Sequence, residues 1–193
     1  MGDTAMGNET LDDRAASARE VIAFWFDEAG PKRWFTKDAD FDGEIGRRFG
    51  ELRQAVIAGE AAGWRDAVEP LLAAVLLTDQ FSRNIHRGSA RAFEADSLAL
   101  DMAYQALDRD WAHTAPRAWR QFLLTPLMHS ERLSDQERSV AEFEGLGDPE
   151  LIPFAVQHRD QIARFGRFPG RNAALRRDTT AVEQQALDAG AAF

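Results

Sequence analysis

The hydrophobic positions along the chain recur at the spacing of an α-helix. One run carries a single apolar stripe whose members lie three or four residues apart, namely Phe41, Ile45, Phe49, Leu52 and Val56. Such spacing places the side chains on one face of a helix, and Gly59 is a residue type that commonly ends one. No useful stretch alternates apolar and polar residues with the period of two that a half-buried strand shows. We therefore expect an all-α fold without a sheet.

Capping residues and apolar runs divide the rest of the chain into further helices. The run Leu71–Leu77 is apolar at every position and follows Pro70, which predicts a helix that is buried on all sides. Helix starts are predicted where a side chain can accept a hydrogen bond from backbone N–H groups of the first turn. These starts are Thr10, Ser89, Ser134 with Glu137, Asp148, and Thr180 with Glu183. We predict seven or eight helices, arranged as antiparallel hairpins because their connections are short.

The length of the chain fits one domain. At 193 residues, about 70% of the surface of the unfolded chain can be buried, so the helices can form a core without disulfides. No linker-like stretch interrupts the helical pattern. We expect residues 11–190 to form a single α-helical domain and residues 1–10 to form a disordered N-terminal tail.

Composition excludes several classes of function. The chain has no cysteine, which excludes disulfides, thiolate nucleophiles and cysteine-ligated zinc or iron–sulfur sites. Its formal net charge of −9 argues against binding to nucleic acid or to an anionic membrane, because such binding needs a basic surface. The start of the chain is acidic and lacks the apolar run of a secretory signal, and Leu71–Leu77 is too short to span a bilayer. We expect a cytoplasmic protein.

The first candidate site follows the buried helix directly. Asp79 shares a helical face with Leu76, so its carboxylate is expected to be buried and to need a partner. Arg83, one helical turn further on, is that partner in the simplest interpretation, which is an internal ion pair. The same segment also holds Asn84 and Arg87, and two arginines one turn apart can bind a phosphate or a carboxylate. Both interpretations stay open.

The second candidate site lies where Pro126 interrupts the helical pattern. His129 and Glu131 follow this break, and a predicted helix start comes directly after them. An imidazole titrates near neutral pH and a carboxylate can tune it, so the pair suits general acid–base chemistry or metal ligation. The chain has no HExxH motif, and Ser130 is not part of a G-x-S-x-G motif, which argues against a local zinc site and a serine hydrolase. Structural hydrogen bonding is the simpler interpretation.

The third candidate site is a stretch rich in arginine. The range Gln157–Arg177 holds six arginines but one acidic residue, and a solvated basic face is the simplest explanation for most of them. The loop that holds Arg167, Arg171 and Asn172 is different, because an aromatic residue and a proline within it would restrict its conformation. His158, on the preceding helix, is expected to be a hydrogen-bonded core histidine.

With these residues in view, the chain resembles the bacterial family catalogued as DUF924, a domain of unknown function with a tetratricopeptide-like helical fold. The similarity covers roughly residues 18–187 and rests on several separated motifs in the same order. These motifs are Phe24-Trp25-Phe26, Trp34-Phe35, Phe41-Asp42, Asp79-Gln80-Phe81-Ser82-Arg83-Asn84 with Arg87-Gly88, Phe93, Asp96, Pro126 with His129-Ser130-Glu131 and Gln136, and Phe165-Gly166-Arg167-Phe168-Pro169 with Arg171-Asn172.

The resemblance implies a tetratricopeptide-like array of helical hairpins and a set of characteristic polar residues, but it supplies no activity. Two positions depart from the family pattern. Ser82 stands where the family usually has proline, and Gly170 stands where histidine is usual. The missing histidine argues against an essential metal ligand at that position, and we predict neither a metal nor a cofactor.

We hypothesise that nine polar residues line one pocket, namely Asp79, Arg83, Asn84, Arg87, His129, Glu131, Arg167, Arg171 and Asn172. Its ligand would be an anionic small molecule or a peptide carboxylate, held by the arginines and Asn172. In one alternative the chain is a general acid–base or metal-assisted hydrolytic enzyme with His129 and Glu131 as catalytic residues. In another it is a protein–protein adaptor that uses the concave face of its hairpins. Neither nucleic acid nor a membrane is expected as a partner.

Overall fold

The computed structural model describes residues 11–190 and contains no strand within that range. Ten helices occupy most of it: α1 (Leu11–Ala23, extended by the π-helical segment Phe24–Ala29), α2 (Pro31–Trp34), α3 (Ala39–Ala58), α4 (Val68–Val75, extended through the π-helical segment Leu76–Gln80 to Phe81–Ile85), α5 (Asp96–Asp108), α6 (Trp111–Thr114), α7 (Arg117–Met128), α8 (Leu133–Leu146), α9 (Ile152–Phe165) and α10 (Ala181–Asp188). Two 3₁₀ turns, Ala90–Ala92 and Pro169–Arg171, lie between them.

The all-helical prediction is confirmed for the described residues, but the predicted number of helices is wrong. The range 11–190 holds ten helices rather than seven or eight. The single-turn helices α2 and α6 have four residues each, which is too short to show a hydrophobic period in the sequence. The motif residue Trp34 is the last residue of α2.

One of the predicted helix starts is confirmed, and others differ from the prediction. Thr180 and Glu183 form the capping box of α10, because each side chain accepts a hydrogen bond from the other's backbone N–H. In contrast, α8 begins at Leu133 without a side-chain cap, so the box predicted at Ser134 is wrong. Asp148 accepts a hydrogen bond from the N–H of Glu150 in a turn that precedes α9, and Ser89 caps the turn Ala90–Ala92 rather than α5. Thr10 lies outside the described residues.

Helix α4 occupies the centre of the fold. Every side chain of Leu71–Leu77 is fully buried, which confirms the prediction of a helix enclosed on all sides. The helix packs against α1, α3, α5 and α7. Its π-helical turn, in which the N–H of Phe81 donates to the carbonyl of Leu76, adds one residue to the turn and keeps Thr78, Asp79 and Gln80 buried. The most polar part of α4 is therefore carried into the core.

Helices α7, α8 and α9 form the remaining side of the fold. Short connections join α7 to α8 and α8 to α9, and each helix packs on the next, so the three run antiparallel. The tetratricopeptide-like arrangement that the resemblance implies stays a prediction. Among residues 11–190, no helix is both long and apolar enough to cross a lipid bilayer.

Candidate functional site

Asp79 lies at the centre of a buried polar network. The π-helical turn of α4 leaves its side chain 1% exposed. Its Oδ1 lies 2.9 Å from Nη1 of Arg83 and 2.6 Å from Nδ1 of His129, and its Oδ2 accepts a 2.6 Å hydrogen bond from Gln80. Burial alone would raise the pKa of Asp79, but Arg83, His129 and Gln80 hold it well below its usual range. The group is therefore a carboxylate at neutral pH.

Two arginines and a second aspartate complete this network. Arg83 bridges two carboxylates, since its Nη2 donates to Asp96 at 3.0 Å while its Nη1 contacts Asp79. Arg171 donates to the same Asp96 at 3.1 Å and to the carbonyl of His129 at 2.9 Å. We call Asp79, Arg83, Asp96, His129 and Arg171 the central cluster. Its two arginines and two aspartates cancel in charge, so a ligand would not meet an excess of positive charge here.

His129 sits at the end of α7 with its two ring nitrogens in different surroundings. The distance of 2.6 Å from Nδ1 to the Asp79 carboxylate means that Nδ1 carries the hydrogen and donates it. Among residues 11–190, no side chain or backbone group forms a hydrogen bond with Nε2, and the side chain is 15% exposed. Burial and the nearby Arg83 lower the pKa of His129, against the raising effect of Asp79. At neutral pH the geometry therefore presents a neutral imidazole whose Nε2 is unprotonated.

Arg171 lies between two aromatic rings. Its guanidinium carbon is 4.7 Å from the ring centre of Phe93 and 4.4 Å from that of Phe168, which is cation–π geometry. Burial and the neighbouring Arg83 lower its pKa to about 10, so it stays charged at neutral pH. Its buried Nε lacks a hydrogen-bond acceptor within the described residues. This leaves the cluster with one unused donor.

His158 adds a second buried imidazole next to the central cluster. Its ring centre is 6.1 Å from that of His129, and its Nδ1 lies 2.7 Å from the carbonyl of Phe154. Burial and the nearby His129 lower its pKa to about 3, so it is neutral at physiological pH. The expectation of a hydrogen-bonded core histidine agrees with this geometry.

Glu131 is held in an ion pair and does not face His129 as a free base. Arg177 binds both of its oxygens, at 2.8 and 3.0 Å, and the backbone N–H of Phe168 donates to Oε1 at 2.8 Å. Burial would raise the pKa of Glu131, but these donors lower it overall. Arg177 also donates to Asn172, so Glu131 and Asn172 share one partner. This ion pair ties the loop around Pro169–Arg171 to the start of α8.

Three of the predicted pocket residues lie in other ion pairs or hydrogen bonds. Asn84 and Arg87 both donate to the carboxylate of Asp42 on α3, at 2.7 to 2.9 Å. Arg167 forms a two-point ion pair with Glu183 on α10, at 2.6 and 2.9 Å. These three side chains are therefore held by partners outside the central cluster, and a single pocket lined by all nine residues stays a prediction. The structure brings together Asp79, Arg83, His129 and Arg171, and places Glu131 and Asn172 beside them.

Asp96, Arg177 and His158 are residues of this region that the nine-residue hypothesis lacked. Asp96 belongs to the motifs that carry the family resemblance, which was the available signal. No such signal exists for Arg177, because the sequence does not show which acidic side chain each of the six arginines contacts. Within residues 11–190, no group of three or more histidine and carboxylate side chains is arranged to hold a metal ion.

Fold and site together define a class of protein, an all-helical domain with a buried Asp–His pair flanked by two arginines. Comparison with known proteins then gives the family. The chain belongs to the family described as "Bacterial protein of unknown function (DUF924)", whose model matches residues 21–191. It is similar to a solved structure of a protein of unknown function, ATU0120 from Agrobacterium tumefaciens, with 39% identity and a TM-score of 0.87 over 92% of this chain and 100% of that one. No curated protein matches the chain.

Proposed function

We propose that the chain is an enzyme in which His129 acts as a general base. The observation that supports this is the arrangement around one imidazole, in which Asp79 accepts from Nδ1 while Nε2 has no partner among the described residues. A base needs an unprotonated nitrogen with access to a substrate, and it gains from a fixed tautomer. The side chain of His129 is 15% exposed, so part of the ring is open to water or to a small substrate.

The neighbouring charges assign supporting roles in this proposal. When Nε2 takes a proton from water or a substrate hydroxyl, the imidazolium that forms is stabilised by the Asp79 carboxylate. Arg83 is 20% exposed and fixed between two carboxylates, and in this proposal it contacts a polar group of the substrate. Glu131 is a positioning residue rather than a second base, because Arg177 keeps it ionised and occupied. Hydrolysis of an ester, amide or phosphate monoester is the reaction class that such a base serves.

A hydrolytic panel of p-nitrophenyl esters, phosphate monoesters and N-acyl amino acids tests this proposal. We expect turnover of at least one compound by the wild type and a loss of about 10²- to 10⁴-fold in His129→Gln. His113→Gln is the matched control, because His113 is exposed and paired with Glu142 away from the cluster. Circular dichroism establishes that each variant is folded. Activity that survives in folded His129→Gln, or a wild type inactive on the whole panel, overturns the proposal for this reaction class.

A second candidate is binding of an anionic small molecule without chemistry, as the nine-residue hypothesis had it. The buried Nε of Arg171, which lacks an acceptor, favours this candidate because a ligand oxygen would satisfy it. A ligand at 100 times its dissociation constant raises the free energy of unfolding by about 2.7 kcal/mol, or the melting temperature by about 5 to 10 °C. Shifts with small carboxylates or phosphate that persist in His129→Gln but vanish in Arg171→Met would favour binding alone.

The cellular location is also part of the proposal. The chain has no cysteine and therefore no disulfide that would need an oxidising compartment. Its net negative charge favours solubility in water. We propose that it works in the cytoplasm. Fractionation of the native host, with the chain followed by an antibody, tests this.

A further inference from the structure

A second site of ligand-binding size lies away from the central cluster, where α9 ends and α10 begins. It is an open groove of about 490 Å³ lined by Arg164, Phe165, Arg167, Thr180, Val182 and Glu183. Its volume falls within the range of about 300 to 1,000 Å³ that ligand-binding clefts show. No residue of the central cluster lines it. The groove is therefore independent of the function proposed above.

The charges of the groove leave one arginine unpaired. Arg167 and Glu183 neutralise each other through two short contacts, and Arg167 also donates to the carbonyl of Asp178. Arg164 forms no ion pair with any acidic side chain of residues 11–190, and its guanidinium carbon lies 4.8 Å from the ring centre of Phe165. The groove consequently carries a net charge of about +1 in a chain whose formal charge is −9.

The remaining lining is apolar or weakly polar. Val182 is 51% exposed, which is unusual for a large aliphatic residue in this chain, and Phe165 is half-buried beside it. The hydroxyl of Thr180 accepts a hydrogen bond from the N–H of Glu183, so its own hydrogen remains available to donate. An unpaired guanidinium next to exposed aliphatic and aromatic surface is complementary to a carboxylate that adjoins an apolar group.

We propose that this groove binds the C-terminal carboxylate of a peptide whose last residue is apolar. Arg164 binds the carboxylate, and Val182 and Phe165 pack against the last side chain. A peptide end fits better than a free small acid, because the open groove covers a ligand on one side, whereas small-molecule sites bury most of their ligand. The part of the peptide that stays exposed to solvent then leads into the rest of the partner chain.

The test compares N-acetyl-Ala-Ala-Leu with its C-terminal amide by chemical-shift titration of the ¹⁵N-labelled full chain. We expect the acid to bind with a dissociation constant of about 1 mM or below, and the amide to bind about tenfold more weakly, because it lacks the charge. Arg164→Gln should weaken binding of the acid by about the same factor. Val182→Ser should weaken binding of both peptides by a few-fold, since it removes apolar contact area.

Arg159→Gln is the matched control, because Arg159 lies on the same helix but pairs with Asp160 and does not line the groove. Three results overturn the proposal: equal binding of acid and amide, unchanged binding in Arg164→Gln, or shifts that map outside the groove. Binding of N-acetyl-leucine as tight as that of the tripeptide overturns the assignment to a peptide. These outcomes do not depend on His129, so they are separate from the test of catalysis.

Discussion

At Asp79 and His129, two side chains fix each other's ionisation state. Burial favours the neutral form of both, yet Arg83 and the imidazole keep Asp79 ionised. The same Arg83, with burial, lowers the pKa of His129 below its ordinary value of 6.5. At neutral pH the pair is a carboxylate beside a neutral imidazole, which is the state a general base requires.

Asp79→Asn tests this pair. We expect the variant to lose about 10²- to 10⁴-fold in kcat, because an amide neither fixes the tautomer nor stabilises the imidazolium. The acid limb of kcat/KM in the wild type should have its midpoint below pH 6.5, since the lowered pKa keeps His129 neutral at more acidic pH. Both are measured on a substrate found in the hydrolytic panel. A midpoint above 6.5, or unchanged kcat in the variant, contradicts the assignment.

His158 makes the stability of the fold depend on pH. Its pKa of about 3 in the folded chain lies below the ordinary 6.5, so between these values the unfolded state binds the extra proton. Stability from this group is therefore present above pH 6.5 and is lost as pH falls toward 3, at about 1 kcal/mol per pH unit. His129 contributes in the same direction.

His158→Gln should accordingly flatten the dependence of the free energy of unfolding on pH between 5 and about 6.5. Urea unfolding at several pH values measures the slope. His113→Gln is the contrasting variant, because the pKa of His113 is raised by Glu142 and Asp110 and its contribution is lost as pH rises. If His158→Gln keeps the full slope of the wild type, the buried neutral imidazole is not its source.

Helices α3 and α4 are joined by a buried arginine. Arg53, 1% exposed, donates from Nε to the hydroxyl of Ser82 at 2.8 Å and from Nη2 to Glu94 at 2.8 Å. Ser82 in turn donates to the carbonyl of Thr78, which lies in the π-helical turn. By resemblance, the family usually has proline at position 82, which could not accept from Arg53. The serine therefore supplies a contact that a proline at this position could not supply.

We expect Ser82→Ala to lower the free energy of unfolding by about 1 to 3 kcal/mol, because it leaves the buried Nε of Arg53 without an acceptor. Arg53→Met removes the donor, and the double variant should be more stable than the sum of the two single effects indicates. Chemical denaturation of the four proteins measures this coupling. Strict additivity would show that the two side chains do not stabilise the fold through each other.

At the scale of elements, the sequence predicts those helices whose buried residues form a regular apolar pattern. The stripe on α3 and the run Leu71–Leu77 gave correct helices, since burial alone determines their faces. The start of α8 was mispredicted because Arg132 precedes the helix with no side-chain cap, leaving Ser134 inside it. The π-helical turn Leu76–Gln80 is likewise invisible in the sequence, because it differs from an α-turn by one residue.

At the scale of the whole molecule, the candidate site depends on partners far apart in the chain. Asp79 pairs with His129 across 50 residues, and Asp96 with Arg171 across 75. The sequence shows that each of these residues is polar within an apolar context, but it does not show which charged side chains pair with one another. Arg87 shows the consequence: it lies one helical turn from Arg83, yet it faces Asp42 on α3 instead of the cluster.

Variants at Asp96 and Arg171 distinguish a role of the central cluster in stability from a role in function. Asp96→Leu leaves the central cluster with one excess positive charge and Arg171→Met leaves it with one excess negative charge, so each single variant should cost about 3 to 5 kcal/mol of stability. The double variant removes both charges and should be as stable as the wild type within about 1 kcal/mol, because apolar side chains of similar volume often replace a buried ion pair without loss. Denaturant unfolding measures the cycle.

Catalysis in the same double variant should fall, because Arg171 also donates to the carbonyl of His129 and Asp96 fixes Arg83 beside the imidazole. A stable double variant with reduced kcat therefore indicates that these charges serve the chemistry at His129 rather than the fold. Asp42→Asn is the matched control, since it disrupts the separate pair with Arg87 and should leave kcat unchanged. A double variant that is stable and fully active would instead mean that the positions of Arg83 and His129 do not depend on this ion pair.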